Sequence, residues 1–118
     1  MDDFEVGFYE TVEGRAPEEE FIDLQNMKMQ AKIYREIGLL AEKGNALRMP
    51  HSEYLDDGIF QIRAKIGNDI SRVLYFFVVG KKIILTNGFV KKTQETPPEE
   101  IDLAKKYRAD YLQRECLK

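Results

Sequence analysis

Arg63, Arg72, Lys91 and Lys92 are the residues of this chain best suited to chemistry, with Gln61, Lys65, Phe89 and Thr93 around them. Arginine presents a planar fork of donors that engages two phosphate oxygens at once, and lysine supplies a compact point charge. All eight residues fall between Gly58 and Gln94, a stretch with 7 Lys+Arg and 1 Asp+Glu, for a charge of +6. Residues 1–57 carry −8 and residues 95–118 carry −1, so the net charge of −3 conceals a segregated distribution. Binding depends on the field at one face, and this stretch points to a negatively charged partner such as nucleic acid.

The elements around these residues can be read from periodicity. Phe60, Ile62, Ala64 and Ile66 alternate with Gln61, Arg63 and Lys65, which predicts a strand with one apolar and one cationic face. Ser71 to Val79 and Lys82 to Phe89 predict two more strands. Gly67-Asn68-Asp69 and Gly80-Lys81 are connections of hairpin length, so the three strands form an antiparallel meander. That pairing sets Arg72 opposite or diagonal to Arg63.

Phe4 to Tyr9 reads as an N-terminal strand. Pro17 suits the first turn of a helix, and Glu18, Glu19 and Glu20 place negative charge at its positive end. Phe21, Leu24, Met27, Ala31, Tyr34, Ile37 and Leu40 recur at helical spacing until Gly44 stops the run. This is two helices with a bend near Asn26, or one bent helix. Asn45 to Asp57 reads as a connector, with Asp57-Gly58 the turn into the sheet. Thr96 as N-cap, Pro97 at N1 and Glu99 at N3 predict a capped C-terminal helix, with Ile101, Ala104, Tyr107 and Tyr111 as its apolar stripe. The expectation is one α+β domain over residues 1–118, with its helices packed on one face of the sheet.

Composition excludes several classes. The chain has 118 residues, 43% of them hydrophobic, which suits one core. No apolar run approaches the roughly 20 residues that span a bilayer. Met1-Asp2-Asp3-Phe4-Glu5 lacks the pattern of a signal peptide, so a cytoplasmic location is expected. Cys116 is the single cysteine and offers neither a disulfide framework nor a zinc cluster. There is no H-E-x-x-H, no G-x-S-x-G and no Walker-type loop, so no metal or cofactor is expected.

The string Leu47-Arg48-Met49-Pro50-His51-Ser52, then Leu55, then Asp57-Gly58-Ile59-Phe60-Gln61-Ile62-Arg63, resembles the RelE/ParE toxin superfamily. The likeness is strongest to the HigB branch and its phage-derived relatives. It continues through Arg72-Val73-Leu74-Tyr75-Phe76 and Gly88-Phe89-Val90-Lys91-Lys92-Thr93-Gln94 to the Thr96-Pro97 helix start. The resemblance implies the toxin of a type II toxin–antitoxin pair, usually an endonuclease acting on mRNA at the translating ribosome. It also implies a neutralising antitoxin, in the HigB branch usually a helix-turn-helix (HigA-like) protein. DNA would be contacted only through the complex with that antitoxin. The antitoxin is expected either to cover the cationic sheet or to grip the helices between Pro17 and Lys43.

RNA cleavage needs no metal when the ribose 2′-OH attacks the adjacent phosphate. The protein must then orient the hydroxyl, take its proton, stabilise the phosphorane and protonate the leaving oxygen. Within the resemblance, Arg63 is expected to contact the scissile phosphate, with Arg72 beside it. Lys91 and Lys92 are also placed at the centre, one facing the site and the other solvent. Gln61, Lys65 and Thr93 are expected around the substrate. Thr93 and Gln94 either bind phosphate or lead into the helix. Phe89 either stacks on a base or joins the core with Ile83 and Leu85, whose parity it shares; Tyr75 belongs to the core. His51, without a visible partner, serves a structural hydrogen bond or acts as acid or base. Two other functions share the fold: a ParE-like poison of DNA gyrase, and a non-catalytic binding module.

Overall fold

A computed structural model describes residues 3–90 and 95–116. The element order is β1 (Glu5–Phe8), α1 (Pro17–Asp23), α2 (Met27–Lys43), β2 (Ser52–Asp56), β3 (Ile59–Ile66), β4 (Asp69–Val78), β5 (Lys82–Val90) and α3 (Pro98–Cys116). The five strands form one sheet in the order β1-β5-β4-β3-β2. All neighbours run antiparallel except β1, which pairs parallel with β5. The Cα radius of gyration is 13.5 Å, the value expected of a compact chain of this length (about 13.5 Å).

The helix signals behave as their chemistry dictates. Pro17 is the first residue of α1. The chain then breaks at Asn26, whose side chain accepts from the Met29 amide and caps α2. Gly44 ends α2 with φ 55° and ψ −129°. Phe4 lies against that glycine, and its amide bonds to the Ala41 carbonyl.

Three expectations need correction. The connector before the sheet contains a strand, β2, which forms a hairpin with β3 through Asp57 and Gly58, both at positive φ. The meander therefore has four strands. The helices do not share one face. α1 and α2 pack on Ile62, Ala64, Val73, Tyr75, Ile83 and Leu85. α3 packs on the opposite face, through Ile101, Ala104, Tyr107 and Tyr111 against Ile59, Leu74, Phe76 and Ile84. β4 alternates Val73 and Tyr75 with Leu74 and Phe76 and so feeds both cores. Finally, Thr96 does not cap α3. Its hydroxyl donates to Gln61 Oε1 at 2.8 Å, and the helix begins at Pro98.

Glu18 departs from its expected role as well. Glu19 and Glu20 face outward, but Glu18 is 0% exposed and neither of its carboxyl oxygens has a hydrogen-bond partner. It sits over Gly88 of β5, where an added Cβ would lie 2.6 Å from Glu18 Oε1. Burial pushes its carboxyl well above the usual carboxylate range. The folded state thus holds a proton that the unfolded chain releases, and the stability that Glu18 permits is lost as pH rises above the ordinary glutamate range. The expected slope approaches about 1.4 kcal/mol per pH unit for one proton. Urea titrations of the parent and Glu18→Gln between pH 5 and 8 check this. The parent should lose stability with rising pH relative to the variant, and parallel curves would show that Glu18 is not the group responsible.

Candidate active site

The β3–β4 register places Arg63 directly opposite Arg72, and the β4–β5 register places Phe89 opposite Arg72. The three side chains form a row across three strands on the face that carries α3, beyond the N-terminus of that helix. Phe89 reaches this row because β5 has an irregularity: Val73 pairs with Gly88, while Tyr75 pairs with Leu85. The extra residue reverses the inside–outside alternation. Phe89 therefore leaves the face of Ile83 and Leu85 and lies half-buried beside Arg72, against the α3 core. Tyr75 stays in the core, with its hydroxyl 2.5 Å from Ser52 Oγ.

The two arginines are less open than their positions in sequence imply. Arg63 is half-buried and Arg72 is only 4% exposed. The Nε of each is buried without a hydrogen-bond partner. Burial, and then the Arg63 charge, pull the Arg72 guanidinium below its usual range, while Glu53 opposes the shift from 3.7 Å. An anion at this pair would offset both causes, since it neutralises the repulsion and occupies free donors.

Gln61 lies inside. It is 0% exposed, its amide nitrogen donates to Glu53 Oε1 at 3.0 Å, and its oxygen accepts from Thr96. It ties β2 and the approach to α3 onto β3, and in this arrangement it presents no surface to a substrate. Lys65 is exposed one step further along β3. Lys91, Lys92, Thr93 and Gln94 lie outside the described residues.

Arg63 and Lys65 line a cleft of about 290 Å³ together with Pro50, His51, Lys32 and Glu36. It opens at the sheet edge, where β2 begins and the Arg63 amide bonds to the His51 carbonyl. His51 is not alone here. Its Nδ1 lies 2.9 Å from Glu36 Oε1, and Lys32 Nζ lies 3.4 Å from Glu36 Oε2. Glu36 itself is buried on α2. Along the same groove Lys28, Lys32 and Arg35 border Ile66. The acidic half of the chain thus lends three cations to the edge that carries Arg63.

A family model described as Phage derived protein Gp49-like (DUF891) matches residues 20–109. The chain belongs to the Gp49-like family. Among curated proteins, none matches it. The Gp49-like family belongs to the RelE/HigB-like superfamily of toxin–antitoxin toxins, so membership implies a cognate antitoxin. The match runs from α1 to α3 and includes Glu36, His51, Arg63, Arg72 and Phe89. No helix among the described residues of this Gp49-like chain is long and apolar enough to cross a membrane. Among the same residues, no three His, Cys, Asp or Glu side chains are grouped to hold a metal ion.

Proposed function

We propose that this Gp49-like protein is a HigB-like toxin that cuts mRNA on the ribosome by attack of a ribose 2′-OH on the adjacent phosphate. One observation carries the reading: Arg63 and Arg72 stand opposite one another with unsatisfied Nε groups, beside a cleft lined by further cations. Two guanidinium groups forced together favour an anion between or above them, and the phosphorane is most anionic in the transition state. Arg63 lines the cleft and is the group that meets the phosphate. Arg72 supports it from below, and half-buried Phe89 offers a ring edge to a base at the end of the row.

The partner is a HigA-like antitoxin with a helix-turn-helix. The helical surface suits it: Leu24 and Met27 are each 84% exposed and Tyr34 extends the same outer face, whereas Met29 points into the core. Contact there blocks ribosome entry from the side and leaves the cationic cleft uncovered.

Induction of the protein without its partner, followed by mapping of mRNA 5′ ends, tests the function. Cuts within coding sequence are expected, with purified protein leaving free RNA almost intact and cutting it when ribosomes are supplied. Activity that vanishes in EDTA at a free RNA substrate and returns with a divalent metal would remove the metal-free mechanism. Broken chromosomes with intact transcripts would assign the protein to the gyrase poisons.

A further inference from the structure

We infer that His51 is the general base of this RNA cleavage and that Glu36 is its positioning residue. The inference rests on the endonuclease reading above and assigns the proton transfer that the arginines cannot perform.

The geometry has three parts. First, His51 and Glu36 are bonded through Nδ1 and Oε1 at 2.9 Å. An ionised carboxylate only accepts, so in the pair that can act Nδ1 is the donor and the neutral imidazole has a lone pair on Nε2. Nε2 makes no hydrogen bond among the described residues. Second, the orienting group is fixed: Glu36 is 3% exposed on a seventeen-residue helix, while the His51 side chain is 44% exposed. A buried carboxylate holding a half-exposed imidazole sets the tautomer and stabilises the imidazolium that forms. Third, the same cleft contains Arg63 and Lys65, which suit the phosphate next to the attacked atom.

The step balances. The 2′-OH proton passes to His51 Nε2 while the bond from O2′ to phosphorus forms. The bond from phosphorus to O5′ breaks, and O5′ takes a proton from solvent. The products are a 2′,3′-cyclic phosphate and a 5′-hydroxyl, and the imidazolium returns its proton to solvent.

The charged groups facing His51 are Lys32, Arg35, Glu36 and Glu42 from α2, and Arg63 and Lys65 from β3. A base must lose its proton to act, so cleavage rises with pH along the limb that belongs to His51. The lysines and arginines act as cations, and their titration would give the opposite slope.

The test is single-turnover cleavage of mRNA on programmed ribosomes across pH 5 to 9, with the full chain, His51→Gln and Glu36→Gln. A parallel binding assay uses ribosomes carrying mRNA with a 2′-deoxy residue at the cut site. For His51→Gln the expected result is a fall of about a hundredfold in rate, loss of the acidic limb, and binding within threefold of the parent. For Glu36→Gln the expected result is a fall of about tenfold in rate with binding within threefold of the parent, because the imidazole has lost the carboxylate that orients it. Thermal unfolding of each variant reports its folding. If His51→Gln fails to fold, the fall in rate at unchanged binding in Glu36→Gln decides alone. A His51→Gln or Glu36→Gln rate within threefold of the parent overturns the assignment. A parent that binds but never cuts overturns the endonuclease reading, and this inference with it.

Discussion

Arg63→Ala is expected to lower ribosome-dependent mRNA cleavage by about a thousandfold, the loss of roughly 4 kcal/mol of transition-state stabilisation. Arg63 lines the cleft, stands opposite Arg72 and is half-buried, so part of it stays open to a substrate. Its removal also relieves repulsion at Arg72. The folded state should therefore change by only about ±0.5 kcal/mol. Rate and stability together make the variant informative. Single-turnover cleavage measures the first, and urea unfolding the second. A folded Arg63→Ala protein that cuts at the parent's rate would exclude this arginine from the site. Arg72→Ala is a poorer probe. That side chain is nearly buried beside Glu53, so its removal disturbs packing and leaves Glu53 without its ion pair.

Gly44→Ala should be the most damaging of the small substitutions, at roughly 3 kcal/mol of stability. Two causes add. The backbone at φ 55° and ψ −129° suits glycine alone, and a Cβ there would fall 2.0 Å from Phe4 Cε1. Phe4 packs on the core shared by α1, α2 and the sheet, so the ring has little room to retreat. The residue also ends α2 and starts the run to Pro50 and His51. Thermal or urea unfolding gives the answer. A variant with parental stability would mean that the chain relaxes freely around this turn. Gly14→Ala is the internal control, because its positive φ has nothing within 4 Å of an added Cβ.

The legible parts of the fold were those in which one residue type does one local thing. Pro17, Asn26 and Gly44 mark helix ends because each solves a backbone problem at its own position. The alternation from Phe60 to Ile66 gave β3 its faces, and hairpin-length loops gave the opposition of Arg63 and Arg72. β2 was hidden because its inward residue, Ser52, is polar and its partner, the Tyr75 hydroxyl, lies 23 residues away. Its signal was present all the same, in Asp57-Gly58 with Tyr54-Leu55 shortly before it and Ile59-Phe60 after it. The placement of α3 was signalled by the unbroken apolar run of β4, which requires cover on both faces. Phe89 was misplaced by a parity argument that assumed an uninterrupted ladder.

Of the candidate site, the opposition of Arg63 and Arg72 was legible and the carboxylate beside His51 was not. Glu36 lies four residues after Lys32 on α2 and reads as an ordinary surface pair. Only the return of the chain at Pro50 sets His51 against it. Glu18 misled for a related reason. An acidic residue in a first helical turn normally serves the helix dipole, and nothing local announces that β5 will close over it.

The parallel pairing of β1 with β5 matters for a chain made one residue at a time. Glu5 through Phe8 have no sheet partner until Lys82 through Leu85 exist. α1 lacks its seat for the same interval, since Glu18 and Phe21 lie against Gly88. The hairpins of the meander join neighbours and can close as they emerge. The segment synthesised first is thus among the last to be housed, and the sheet closes only when its fifth strand has been made.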